Sequence, residues 1–549
     1  LLSDVEVTQR LTVNTAKIVN NCDLIVRMLE QAGVRWVFGV PSGPVLPLID
    51  SLRRSPVQFV LTASETSAGF MAAAVGYLTG IPGVCASTVG PGATNLTTGV
   101  GCAWLDRAPL LAITCNVGTA WLDRRIQMRI DHQALFRALT KATISLRDAS
   151  AGEALGSALA IASDEPPGPV HLDLPEDIAQ AAPAAFVETR RGSICPPDRS
   201  QEITAALSAA LGRARRPLVV TGLSFTRSRA ARELVQLLER QNWPFVTTMH
   251  AKGFLPESHP NWAGVIGRAR RSDIKAFTDR ADLIIAVGYD PIEINYEEWA
   301  GNTPIAHIST EAAEAGKELR FVCNLACDLD AAIEALSAIA PVQNRWSSDE
   351  WRQHRSDLEQ ALRPSSVSFS AHHVLDGLRG WLPADGILAY DVGAHTHQIA
   401  TQWRTDRPRT LLATNGWSSM GYGMPAAYAA RLVFPERRVV AVIGDGGFQM
   451  TAGELALARR LNLAVPIVVL NDGWLGLMKI KQERRNYPLS GVRLGDPPDT
   501  PPHYFGVPCR AAKTSEELGV ALEWASSLNG PSVIETFIDA EAYSSTVFD

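Results

Sequence analysis

The sequence predicts an α/β protein of three doubly wound, parallel-sheet domains, and three observations carry that prediction. Short runs of β-branched and small apolar residues alternate with amphipathic stretches along most of the chain, the pattern of parallel sheets covered by helices on both faces. Two stretches break the alternation: AAPAAFVETRRGSICPPDRSQE at 181–202, polar and Pro-containing, and the charged, Ser-rich QNRWSSDEWRQHRSDLEQALRPSSVSFS at 343–370. The 549 residues then divide into units of ~140–180, an ordinary domain size.

The first unit is placed at 14–185, with RWVFGV, VQFVLT, GVCAST, PLLAIT and GPVHLDL as buried strands and CDLIVRMLEQAG and ETSAGFMAAAVGYLTG among its helices. The second, 200–342, carries the strands PLVVTG, PFVTTM, DLIIAVG and PIAHIST. The third, 366–549, carries GILAYDVG, RVVAVIGDG, AVPIVVLND and PSVIETFID.

Hydrophobic residues make up 46% and charged residues 20%, with a net charge of −6. That composition supports large cores and gives no basic footprint, so neither nucleic acid nor a membrane surface is expected as partner. No apolar run reaches the ~18 residues of a membrane span. The N-terminal LLSDVEVTQRLTVNTAK lacks a signal-peptide layout, so a cytoplasmic location is expected. Eight cysteines without a C-x-x-C pair read as reduced thiols.

The third unit carries the chemistry. In VVAVIGDGGFQM, a strand ends at Gly444 and Asp445 stands between glycines. TAGELALARRLNL follows as a helix, with Thr451 and Glu454 at capping-box spacing. AVPIVVL is the next strand and ends at Asn471. In a parallel βαβ unit both strands run the same way, so Asp445 and Asn471 emerge at the carboxyl edge, where open α/β sheets bind ligands. A carboxylate and an amide oxygen there suit Mg²⁺ or Ca²⁺. The glycines allow a phosphate to approach, and the helix N-terminus after Gly447 favours its charge. The site therefore suits a metal diphosphate. G-x-G-x-x-G fails at Gln449 and no G-K-[ST] follows, which removes the dinucleotide and P-loop alternatives.

GDGGFQM…LND resembles the thiamin-diphosphate signature. VFGVPSGPVLPLIDSL, GFMAAAVGYLTGIPGV, STVGPGATNLTTGV, VGYDPIEINYEEW and SSMGYGMPAAYAA are similar to acetolactate synthases and their relatives, such as carboxyethylarginine synthase and benzaldehyde lyase. The resemblance covers nearly the whole chain and implies the order pyrimidine-binding, central and diphosphate-binding domain. It implies that Asp445, Asn471 and the Gly473 carbonyl hold Mg²⁺ against the diphosphate of thiamin diphosphate, with Gly444, Gly446, Gly447 and Trp474 around it. Glu65, in LTASETSAGF, matches the carboxylate that promotes the imino tautomer of the aminopyrimidine and so the catalytic nucleophile. Alone, Glu65 reads more readily as a capping partner of Thr62. Met420 matches the residue wedged under the cofactor, and Ser418 the position whose backbone carbonyl meets the pyrimidine. Pro41, Gly92 and Asn95 fall in the matching cofactor loops, Gly90 and Pro91 beside them.

Two positions depart from the family. Ser64 stands where His is common before the catalytic Glu. Counting back from ALFRALTK, Gln127 and Met128 stand where relatives have His-Gln or Phe-Gln. Both departures face substrate in relatives. His132, His395 and His397 are candidates for replacement acid–base groups, though a core or ordinary polar role suits each better. LGLMKIKQERRNYPLSG, with Leu475 and Leu477, matches a substrate-facing segment. The resemblance implies decarboxylation of a 2-oxo acid, pyruvate first, and ligation to a second carbonyl compound. A specialised lyase, decarboxylase or carboligase and an inactive homologue are the alternatives. FAD is carried by some relatives and is not favoured here, since VGYDPIEINYEEW is closer to the flavin-free type. At least a homodimer is implied, with a homotetramer expected.

Overall fold

The structure, a computed structural model, describes residues 18–147, 150–184, 196–294, 299–314, 319–365, 368–495 and 499–547. It contains three sheets with helices on both faces. The first runs Gln58–Leu61, Trp36–Gly39, Gly83–Ser87, Leu110–Asn116, Pro169–Pro175 and Ala142–Ser145, all parallel. The central sheet runs Phe321–Ala326, Ile305–Ser309, Leu283–Val287, Pro217–Thr221, Phe245–Thr247 and Trp262–Val265. This is the 6-5-4-1-2-3 order of a dinucleotide-type fold, with its switch point between Pro217–Thr221 and Leu283–Val287.

The third sheet runs Leu411–Leu412, Ile387–Tyr390, Val439–Gly444, Pro466–Asn471, Ser532–Phe537 and Val507–Ala512 in parallel, with His503–Tyr504 antiparallel at the edge. Central strands such as Val439–Gly444 and Pro466–Asn471 are covered on both faces, which is why they read as unbroken apolar runs.

The first and third units pack on each other through the helices Glu65–Thr79 and Gly423–Val433. Both are rich in small residues, so their backbones approach closely. Phe70 meets Tyr422 edge to face with ring centroids 5.7 Å apart, a pair worth about 1 kcal/mol beyond its area.

Two expectations need correction. The stretch after 342 is not a mere connection: Ser348–Ala361 is a helix on the central unit. Trp351, Leu358 and Leu362 recur along one face and are buried there with Trp346. Thr451 and Glu454 form no capping box. A helix begins at Asp445 and ends at Thr451, and a second runs from Glu454 to Arg460. Thr451 Oγ1 donates to the Gly447 carbonyl, while the Glu454 carboxylate leaves for another domain.

Candidate active site

Asp445 is the first helical residue beyond Val439–Gly444, so Gly446 and Gly447 lie inside the first turn rather than ahead of it. Its carboxylate accepts from Gly446 N–H at 2.9 Å and from Gly473 N–H at 2.9 Å. Burial pushes its carboxyl up to about 6 despite those donors. The neighbouring Asp472 is pushed up to about 7 by burial and then by Asp445. Asn471, at the end of the adjacent strand, donates its amide nitrogen to Glu535 Oε1 at 2.7 Å. That bond fixes the amide orientation, and among the described residues nothing donates to its oxygen. The buried Asp445 carboxyl, raised by its burial, beside an unengaged amide oxygen is a donor set that a hard divalent cation fits. The Gly473 carbonyl, at φ +73°, accepts Leu494 N–H at 2.8 Å and retains its second lone pair. Trp474 beside it lies under Lys479 and Arg493.

The wall around this pair is equally specific. A Cβ at Gly447 would lie 2.0 Å from the Asp391 carboxylate. Asp391 is buried at the end of Ile387–Tyr390 and accepts the N–H groups of Gly421, Tyr422 and Gly423. It thereby fixes the loop carrying Ser418 (φ +51°) and Met420. Burial raises its carboxyl to about 6. The sequence reading passed over Asp391, although AYDVG repeats the strand–carboxylate–Gly pattern of Asp445. Met420 Cε and Leu475 Cδ2 both lie over Gly446, so the two are brought together; Leu477 is half-buried on the following helix. His395 is buried beside Gly393 and Gly444 with Nε2 unpartnered. Burial lowers its pKa to about 4. It stands against the Gly444 turn that leads into Asp445. His397 is also held neutral by burial, at about 3.

Glu65 is the first residue of the helix Glu65–Thr79 and is buried. Asn95 Nδ2 donates to its Oε2 at 3.2 Å, and Gly92 leaves the space beside Oε1. Thr62 does not pair with it; Thr62 Oγ1 donates to the Ser64 carbonyl. Ser64 is the N-cap and its hydroxyl accepts Ser67 N–H at 3.2 Å, so this side chain is engaged in capping. Pro41 is exposed on the turn after Trp36–Gly39.

His132 does not face the cleft. It is buried, its Nε2 accepts Gly90 N–H at 3.2 Å, and its Nδ1 lies 3.2 Å from Asp173 and 2.9 Å from Thr114 Oγ1. Gly90 has φ +65°, and a Cβ there would strike the Met128 carbonyl at 2.1 Å. Met128 itself is half-exposed at φ +64°. Gln127 lines a surface groove with Trp121, Glu176 and Asp177. His132, His171 and Asp173 are compact enough to hold a metal, but the ring nitrogens of both histidines are already hydrogen-bonded.

Comparison with known proteins agrees with this frame. The N-terminal TPP binding domain of thiamine pyrophosphate enzymes matches residues 20–135, the central domain 204–336 and the C-terminal TPP binding domain 391–536. The chain is 29% identical over 547 residues to the acetolactate synthase isozyme 1 large subunit of Escherichia coli (strain K12), covering 96% of each. It is 29% identical over 534 residues to the acetolactate synthase of Bacillus subtilis (strain 168), covering 94% of this chain and 93% of that one. It is 30% identical over 474 residues to the acetolactate synthase of Mycobacterium bovis, covering 83% and 76%. With all three domains matched in order on three parallel sheets, the chain belongs to the thiamin-diphosphate-dependent enzymes of the acetolactate synthase family.

Proposed function

We propose that the protein decarboxylates a 2-oxo acid, pyruvate first among them, and joins the remaining acyl unit to a second carbonyl compound, using thiamin diphosphate and Mg²⁺. The observation that carries the reading is the buried Asp445 beside the unengaged oxygen of Asn471. Asp445, Asn471 and the Gly473 carbonyl would hold the ion, and the Gly446–Gly447 turn with His395 would take the diphosphate. Bound thiamin diphosphate supplies a carbon nucleophile and an electron sink for loss of CO₂. Glu65, oriented by Asn95, would hold a hydrogen bond to the aminopyrimidine. Met420 and Leu475 would support the cofactor and keep water from the reacting carbon. Ser64, Gln127, Met128 and Leu477 remain proposed substrate-side positions, and the three domains are proposed to run 14–185, 200–342 with the helix Ser348–Ala361 added to it, and 366–549.

One cofactor must meet both Glu65 and Asp445, yet within a chain the turn before Glu65 rests on Glu454. Glu454 lies nine residues beyond Asp445, on the next helix and past the break at 452–453. We therefore favour a site shared between two copies, with a homodimer as the minimum and a homotetramer expected. FAD is possible at the central domain and is not favoured. The buried Glu293 carboxylate accepts Leu223 N–H at 2.8 Å and Asp290 N–H at 3.2 Å, and lies 2.7 Å from a Cβ placed on Gly222. It stands at the switch point, where a dinucleotide diphosphate would lie, with His250 3.8 Å from its other oxygen.

A donor and acceptor screen with CO₂ release and product mass tests the reading. Pyruvate with thiamin diphosphate and Mg²⁺ should release CO₂ and yield a hydroxyketone or 2-hydroxy-3-oxo acid. No CO₂ from any 2-oxo acid would refute it. CO₂ with a product from another acceptor would favour the specialised carboligase, which the exposed Met128 supports.

A further inference from the structure

The helix Glu454–Arg460 grips the turn that presents Glu65. Glu454 is 1% exposed. Its two carboxylate oxygens accept Ala63 N–H at 3.0 and 3.1 Å, and Oε1 also accepts Ser64 N–H at 3.2 Å. Six residues on, the Arg460 guanidinium donates to the Leu61 carbonyl. The helix start at Gly453 packs against Ala63, where a Cβ would meet Ala63 Cβ at 3.4 Å, an ordinary contact. The turn is thus held at both ends, a carboxylate on its N–H groups and a guanidinium on its carbonyl, each a charge-assisted bond.

Helix capping and domain packing here also have other carriers. The Glu65 helix is already capped by Ser64, and the two domains already pack through Phe70 and Tyr422. A buried carboxylate is costly unless hydrogen-bonded, and here its hydrogen bonds reach Ala63 and Ser64, just before Glu65, and the Ser67 side chain, just after it. We infer that Glu454, with Arg460, is a positioning residue that fixes where the Glu65 carboxylate meets the aminopyrimidine of thiamin diphosphate. The inference rests on the role proposed for Glu65 and deepens it. The clamp lies on the same stretch of chain as Asp445, at its far end.

The test uses the holoenzyme with thiamin diphosphate and Mg²⁺ and reads hydrogen–deuterium exchange at C2 of the bound thiamin, by acid quench and NMR. Amide exchange of Ala63 and Ser64 is read in parallel on the cofactor-free protein. Glu65→Gln is the reference. Glu454→Gln keeps one acceptor oxygen and sets an NH₂ against the backbone donors. It should slow C2 exchange by about 10–100-fold, the scale of an ångström misplacement, and speed amide exchange at 63 and 64. Cofactor affinity should change little. Arg460→Ala, on an exposed side chain, should act in the same direction and more weakly, and it decides the matter if Glu454→Gln does not fold. C2 exchange unaltered in these variants but abolished in Glu65→Gln would overturn the clamp alone. Exchange that survives Glu65→Gln as well would remove the role of Glu65, and the clamp with it.

Discussion

The first and third domains are built on one plan and end in opposite chemistry. Strand for strand their sheets have the same order, if the antiparallel His503–Tyr504 is set aside. In each, the fourth strand ends in an Asn that donates to an acid on the neighbouring strand: Asn116 to Asp173 at 3.1 Å, and Asn471 to Glu535 at 2.7 Å. The registers correspond, since Asn116 faces Pro175 and Asn471 faces Phe537, each two residues beyond the acid. In the first domain the pair is closed. Val117 N–H takes the Asn116 oxygen, and His132 joins Asp173 to the Gly90 turn after the third strand. In the third domain the turn after the third strand carries Asp445, and the Asn471 oxygen is left open. The imidazole of His132 thus stands where the third domain is proposed to hold its ion. The edge of an α/β sheet becomes a ligand site only where its polar groups are left unsaturated.

The largest effect should come from the open edge. Asp445→Ala removes the only charged ligand proposed for the ion. After dialysis against a chelator, thiamin diphosphate and Mg²⁺ should restore activity to the wild type and not to the variant. The affinity loss should exceed the roughly 10–100-fold that an outer-shell partner costs. Retention of both cofactors by Asp445→Ala, read by equilibrium dialysis, would remove the metal assignment. Next in size is complementation between domains. Glu65→Gln and Asp445→Asn should each be nearly inactive. Co-expressed, they place both lesions in one shared site and leave the other whole. Random pairing makes half the dimers mixed, so about a quarter of wild-type activity should return. Mixed dimers that form without activity would assign each site to a single chain.

What could be read from the chain followed the range of the interactions. Asp445 and Asn471 were legible because a strand, a turn and a strand place them with local spacing. The buried strands were legible as apolar runs. Ala142–Ser145, Phe321–Ala326 and Val507–Ala512 were not, because their sheet positions leave them partly exposed and compositionally mixed. Glu454 was misread because its spacing from Thr451 fits a cap, whereas its partner Ala63 lies 391 residues away. His132 could be weighed as a substrate group only while Asp173, 41 residues on, was out of sight.

A smaller effect is expected at Met128. It lies against the Gly90 turn, and a thioether cannot donate the hydrogen bond that a Gln would offer. Met128→Gln should therefore redistribute products among several aldehyde and 2-oxo acid acceptors while cofactor affinity stays near wild type. An unchanged distribution would show that this position does not face substrate.

The smallest prediction tests why the first domain's edge is closed. His171 is buried under Phe136, with ring centroids 4.3 Å apart, and bonded to Thr114 and Thr143. Thr114 in turn meets His132 and Asp173. Burial lowers the His171 pKa from 6.5 to about 3; Asp173 opposes the shift and His132 adds to it. The unfolded chain therefore binds this proton first as pH falls through 6.5, while the folded chain resists until about 3. The stability His171 contributes as a neutral ring is present above 6.5 and declines below it by ~1.4 kcal/mol per pH unit, or ~2 kcal/mol by pH 5. His171→Gln cannot titrate. A chain this large does not unfold in one step, so the readout is amide protection of Leu110–Asn116, whose opening reports the first domain. The variant should be less protected than wild type at pH 7.5, and the gap should narrow by ~2 kcal/mol at pH 5, after correction for intrinsic exchange. A gap independent of pH would mean that His171 titrates as in water, and that the closed edge of the first domain does not depend on its neutral ring.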